Sequence, residues 1–243
     1  MSAKPHFDRV ALVGVGLIGS SMAHGMRRAG LAGHIAGYAH TSQIVERAKK
    51  VGIVDSMHDD LAACVKDAGL VVLAAPVGAF AQIAKAIAGH LKPGAIVTDT
   101  GSVKGVVFRD VAPQMPKGVH LIPAHPIAGT EQSGPEAGFP ELFDGRWCIL
   151  TPAADTDPAA VEKLKSFWEK LGSQVEVMDA RHHDLVLAIT SHVPHLIAYN
   201  IVGTADDLET VTEGEVIKFS AGGFRDFTRI AASDPPRWRD VFL

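Results

Sequence analysis

The run Pro123-Ala-His125-Pro-Ile-Ala-Gly-Thr130-Glu131-Gln-Ser-Gly134 gathers an imidazole, two hydroxyls and a carboxylate into a stretch broken by proline and glycine. It reads as a loop rather than a core element, and a loop this rich in polar groups is a site candidate. His125 is suited to accept a hydroxyl proton while a hydride leaves the same carbon, because an ordinary imidazole titrates near neutrality. The competing reading is a structural histidine bonded to backbone. Upstream, Thr98-Asp-Thr-Gly-Ser102-Val-Lys104 follows a strand-like run, and Ser102 reads as a site hydroxyl, a helix N-cap, or both. Downstream, Ser191-His192-Val-Pro-His195 interrupts a long apolar helix and puts two histidines on one helix face. Metal ligands use that spacing too, but no cysteine or well-placed carboxylate completes a set, so no metal is expected. Finally, Gly222-Gly-Phe-Arg225-Asp-Phe-Thr-Arg229 offers two guanidiniums. One suits a substrate carboxylate, and the other a pairing with Asp226 or a helix end.

The elements that must carry these groups alternate between short apolar runs and amphipathic stretches. Strands are predicted over Arg9–Val13, His34–Ala39, Gly69–Ala74, Ala95–Asp99, Val119–Pro123, Arg146–Leu150 and Gln174–Met178. Helices are predicted over Ile18–Ala29, Ser42–Val51 with Ser42 as cap, Pro76–Leu91 and Asp157–Leu171. The pattern is that of a Rossmann-type, doubly wound α/β domain with a mostly parallel sheet, placed over residues 1–180. Beyond it, Arg181–Thr204, Asp206–Phe219 and a segment near Gly223–Ala232 read as helices, giving an all-helical C-terminal domain over 181–243. That domain is expected to be incomplete at its C-terminus, since some 60 residues make a marginal domain.

Within the first domain, Gly14-Val-Gly16-Leu17-Ile18-Gly19 stands between strand and helix, the context a dinucleotide-binding turn requires. Gly14 would permit the turn, Gly16 the approach of a pyrophosphate, and Gly19 the packing of helix on strand. The competing reading is a plain strand–helix connection. An acid about 20 residues on would mark NAD, but the region reads Gly37-Tyr-Ala-His40-Thr41-Ser42. His40, Thr41, Ser42 and Arg47 suit a 2′-phosphate, whereas NAD can bind through hydroxyls and backbone, so NAD and NADP stay open.

Bulk properties bound the remainder. With 243 residues, 47% hydrophobic, 21% charged and a net charge of −4, the chain reads as soluble and globular. It has no basic field for nucleic acid or a membrane surface. Cys64 and Cys148 lie in apolar surroundings and read as buried thiols. No signal peptide and no membrane-spanning length are expected, which makes the cytoplasm the default.

Taken together, the chain resembles the prephenate/arogenate (cyclohexadienyl) dehydrogenase family of tyrosine biosynthesis. The matching motifs are Gly14–Ser20, Asp99–Lys104, His125–Glu131, Ser191–His195 and Gly222–Arg229, with Gly214-Glu215 and Asp234–Asp240 also similar. The resemblance implies oxidative decarboxylation of a cyclohexadienyl acid with hydride transfer to NAD(P). It implies that His125 accepts a hydrogen bond from the ring hydroxyl, that Ser102 supports both, and that Arg229 binds a substrate carboxylate. His195 and Thr130 would line the pocket, Glu131 would gate it or make a water-mediated contact, and Gly222 and Trp238 would lie at a dimer-proximal site. A homodimer is implied where the C-terminal helices are present. Prephenate is weakly favoured over arogenate, or both are accepted. Two rivals remain: a non-catalytic nicotinamide sensor, and an enzyme like the β-hydroxyacid dehydrogenases and imine reductases.

Overall fold

The computed structural model describes residues 4–130, 132–209, 215–233 and 235–242. The chain divides into two compact units, Met1–His183 and Asp184–Leu243. In chain order the first unit comprises β1 (Val10–Val13), α1 (Leu17–Ala29), β2 (Ile35–Tyr38), α2 (Ser42–Val51), β3 (Ser56–His58) and α3 (Leu61–Val65). It continues through β4 (Leu70–Leu73), α4 (Phe80–Ile87), β5 (Ile96–Asp99), α5 (Gly105–Asp110), β6 (His120–Leu121) and β7 (Ala124–Pro126). Then follow β8 (Trp147–Leu150), α6 (Pro158–Lys170), β9 (Gln174–Val177) and the start of α7 (Ala180–Leu187).

Six strands form a parallel sheet in the order β3-β2-β1-β4-β5-β6. The order reverses between β1 and β4, and in such sheets the crevice at that switch point takes ligands. Every residue of β1 and β4 is buried, as a strand covered on both faces requires. The period of two divides them cleanly. Val10, Leu12, Leu70 and Val72 meet α1, α2 and α6, while Ala11, Val13, Val71 and Leu73 meet α3, α4 and α5.

The structure departs from expectation in several places. The cap of α2 is Thr41, whose hydroxyl accepts from the Ile44 N–H at 3.3 Å, and Ser42 is the first helical residue. β3 and α3 were not expected, because three half-buried residues and a five-residue helix leave little periodicity to read. The stretch after Pro76 is α4 flanked by 3₁₀ turns, Val77–Ala79 and Ala88–His90. The largest difference is a second sheet, β7-β8-β9, in which β7 runs antiparallel to β8. Ala124-His125-Pro126, read as loop, is thus a buried strand.

In the second unit α7 leads into a widened π turn, Ala188–His192, and then α8 (Val193–Glu209). The helix is therefore not interrupted at Ser191–His195. Pro194 has no N–H for the carbonyl four residues back, and the widened turn takes up that gap. α9 (Glu215–Lys218), α10 (Gly222–Thr228), a 3₁₀ turn (Arg229–Ala232) and α11 (Pro235–Phe242) follow, and α11 was not expected. The stretch 210–214, inside the helix expected over Asp206–Phe219, lies outside the described residues. By length and composition alone, the helical stretch Ala180–Leu208 is long and apolar enough to cross a membrane, at 29 residues with an 18-residue window of mean hydropathy 1.5. That corrects the expectation that nothing reaches such a length.

In the first unit's core, Trp168 is fully buried and meets Phe143 and Phe167 edge-on, with centroids 5.3 and 6.1 Å away. Trp168→Ala is expected to cost that unit about 3–5 kcal/mol, measured by urea denaturation followed by circular dichroism.

Candidate active site

The turn from β1 into α1 is built by steric demand. Gly14 has φ +111°, and a Cβ there would strike the Ala74 carbonyl at the end of β4. A Cβ on Gly19 would strike the Gly14 carbonyl. At Gly16, by contrast, a Cβ would meet nothing within 4 Å. Gly16 is also the N-cap of α1, without a side-chain cap and with no acid in the first turn. Leu17 is buried, Ile18 half-buried, and the Ser20 hydroxyl donates to the Gly16 carbonyl at 2.7 Å. The result is an open cradle of backbone N–H groups at the positive end of a helix, which fits a pyrophosphate. His40, Thr41 and Ser42 lie exposed beyond β2. Arg47 is held in a bidentate pair by Glu136, at 2.8 and 2.6 Å.

Past β5, Asp99 and Lys104 are both fully buried and meet at 2.5 Å. Oδ2 of Asp99 also accepts from the Gly101 N–H at 2.7 Å, and Oδ1 from the Ala124 N–H at 3.2 Å. The Lys104 ammonium donates to the Ala124 carbonyl at 2.7 Å. One ion pair thus closes the loop that carries Ser102 and binds both backbone groups of the residue before His125. Burial holds the Asp99 carboxyl above its ordinary value, and Lys104 and the two backbone N–H groups offset only part of that rise. With those donors aimed at it, the carboxylate is the form this site accommodates. Ser102 is half-buried and is not a cap: α5 starts at Gly105 with Lys104 at its N-cap position.

His125 is buried on β7, opposite Ile149. Its Nδ1 lies 2.9 Å from Nε2 of His183, which is fully buried in the first turn of α7. Asp179 caps that turn, its carboxylate accepting from the N–H groups of Arg181 and His182 at 2.9 and 3.1 Å. The sequence reading missed His183, whose only signal is its position after a capping aspartate. Thr130 is exposed, its hydroxyl accepting from the Gln132 N–H at 3.2 Å, and Glu131 lies outside the described residues. The remaining candidates belong to the second unit. There His195 stacks on Trp238 with centroids 3.7 Å apart, and His192 meets the same indole edge-on at 6.0 Å. Nδ1 of His195 lies 2.8 Å from the Ser191 carbonyl, so it carries the proton and donates. Gly222 opens α10, and Arg229 follows it with an exposed side chain. The Tyr199 hydroxyl donates to the Ser233 carbonyl at 2.6 Å and so anchors the 3₁₀ turn that Arg229 begins. Gly214 and Asp234 lie outside the described residues. Neither cysteine is a nucleophile candidate: burial pushes the Cys64 thiol up to about 12 and raises Cys148 well above its ordinary value.

A family model described as prephenate dehydrogenase, nucleotide-binding domain, matches residues 22–177. A second, described as prephenate dehydrogenase, dimerization domain, matches residues 179–243. The chain is similar to a protein named cyclohexadienyl dehydrogenase from Zymomonas mobilis, 40% identical over 98% of this chain and 80% of that one. It is 34% identical to a prephenate dehydrogenase of Bacillus subtilis over 97% of its own length, and spans 64% of that relative. Among solved structures, prephenate dehydrogenase from A. aeolicus in complex with hydroxyphenyl propionate and NAD+ superposes with a TM-score of 0.90. That likeness holds at 39% identity and covers 100% of this chain and 84% of that one.

Lys104→Met leaves the Asp99 carboxylate buried without its counter-ion and is expected to destabilise the first unit by about 3–5 kcal/mol. Adding Asp99→Asn should recover part of the loss, because the second change removes the stranded charge. Urea titration of both variants measures the difference.

Proposed function

The chain belongs to the prephenate dehydrogenase family, and from that premise we propose that it oxidatively decarboxylates prephenate, with arogenate as an alternative substrate, using NAD(P). The observation that supports the reading is the grip of Asp99 and Lys104 on Ala124, which ties the strand bearing His125 to the loop bearing Ser102. Gly14, Gly16 and Gly19 would cradle the pyrophosphate, and Leu17 and Ile18 supply the first N–H groups of α1. When bound, the nicotinamide supplies the hydride acceptor.

The chain's own residues act on the substrate. With Nδ1 engaged by His183, Nε2 of His125 accepts the hydrogen bond of the ring hydroxyl and raises electron density at the carbon that releases hydride. The bond from the ring to its carboxylate breaks, its electron pair completes the aromatic ring, and carbon dioxide leaves. The hydroxyl proton stays with the phenol. Ser102 orients the hydroxyl and His125, and Arg229 holds a carboxylate that survives the reaction. His195, Trp238, Thr130, Glu131 and Gly222 complete the substrate-binding set by their match to the family motifs.

The finer cofactor choice turns on charge. No acid stands at His40–Ser42 to repel a 2′-phosphate. Arg47 can be recruited at small cost, since its pair with Glu136 is exposed on both sides and solvent screens such pairs. This supports acceptance of both NAD and NADP. In the second unit Leu185, Ile189, Val193 and Leu196 are exposed along one helix face. With the dimerization-domain match, that supports a homodimer. Sedimentation equilibrium should give twice the chain mass, and Ile189→Glu should shift the species toward monomer.

Reduced-nicotinamide absorbance with prephenate or arogenate, read in parallel with NAD and NADP, tests the activity. Silence in every combination would refute it. His125→Ala should lower kcat by about 10²- to 10⁴-fold with cofactor Kd unchanged. Arg229→Ala should raise KM by about 10- to 100-fold, as loss of a charged hydrogen bond does.

A further inference from the structure

We propose that His183 is a positioning residue that sets the tautomer of His125, an inference resting on the role given above to His125. The two rings meet Nδ1 to Nε2 at 2.9 Å, with centroids 5.1 Å apart and planes at 67°. His183 is fully buried and His125 nearly so, which shields the contact from exchange with water. A hydrogen bond between neutral imidazoles needs one N–H and one lone pair, so the pair has two arrangements.

In the first, Nδ1–H of His125 donates to Nε2 of His183. The proton of His125 is then on the far nitrogen, and Nε2 presents a lone pair to the substrate hydroxyl. In the second, His183 donates, His125 carries its proton on Nε2, and that nitrogen can only donate toward the substrate. Only the first arrangement serves the reaction, and a free imidazole favours the second tautomer. The work of His183 is to hold His125 in the less favoured form by offering an acceptor.

Both sides of the contact are fixed by backbone. His183 sits in the first turn of α7, where its own N–H donates to the Asp179 carbonyl at 2.9 Å and the Asp179 carboxylate caps the turn. His125 follows Ala124, whose N–H and carbonyl are both taken by the buried ion pair. Both rings are buried on anchored backbone, which holds the 2.9 Å separation.

The test is long-range ¹H–¹⁵N correlation of the full chain labelled at histidine, with His125 assigned by the signals missing from His125→Gln. The expected signature is a protonated Nδ1 and an unprotonated Nε2 on His125. His183→Phe, which fills the space without an acceptor, should move the proton of His125 to Nε2. It should lower kcat for prephenate by about 100-fold or more while leaving KM and cofactor Kd within about 3-fold. His183→Gln, whose amide oxygen can accept, should restore the signature and most of kcat. A wild-type His125 protonated at Nε2, or a tautomer unmoved in His183→Phe, would overturn the proposal. If His183→Phe does not fold, the wild-type spectrum and His183→Gln decide it. The expected signature without any turnover of prephenate supports the tautomer assignment and overturns the substrate reading instead.

Discussion

Lys104 and Asp99 meet in the interior of the first unit with no solvent on either side chain, and through that contact the loop bearing Ser102 is tied to the strand bearing His125. A buried ion pair is a poor source of stability, because desolvating two charges consumes most of what their attraction returns. Here it contributes position. The carboxylate uses one oxygen on the ammonium and the Gly101 N–H and the other on Ala124, and the ammonium reaches back to the Ala124 carbonyl. An apolar pair of equal volume would fill the same space and leave the two polar groups of Ala124 to find other partners. The strand bearing His125 would then lose its registry with the loop bearing Ser102.

The parallel sheet was legible because its demands are local. A strand covered on both faces must be apolar throughout, and Leu70–Leu73 announces itself as such. The Gly14–Gly19 turn is legible for a similar reason, since two of its glycines face backbone carbonyls that exclude a side chain. The second sheet was not legible. β7 is three residues long and contains a histidine and a proline, so it has neither β-branched content nor alternation. Only pairing with β8, more than twenty residues on, makes it a strand.

The same division holds for the site. Ser102 and His125 could be picked out by residue type, because a hydroxyl or an imidazole among turn residues asks for a reason. Their supports could not. Asp99 and Lys104 stand in the same motif as Ser102, yet nothing in a one-dimensional string says that both side chains turn inward and meet. His183 is 58 residues from its partner, and a histidine in the first turn of a helix reads as solvent-facing until the fold buries it. Polar groups among turn residues are conspicuous by type, whereas the residues that hold them in place are defined by contact.

The second unit poses the reverse problem, a sequence whose apolar content exceeds what its own fold covers. Ile189 and Phe219 are each 70% exposed. Covering a residue of that kind contributes about 1.5–3 kcal/mol, and Leu185, Ile189, Val193 and Leu196 make a continuous stripe rather than scattered exceptions. Length and hydropathy alone do not separate a bilayer from a protein surface as the cover. Thr190, Asn200 and Thr204 do not either, because they satisfy themselves on carbonyls one turn back. What separates the two is the match of 179–243 to a dimerization domain. A stripe along one helix face suits a second copy of the same helix, since a twofold contact lets each residue serve as both knob and hole.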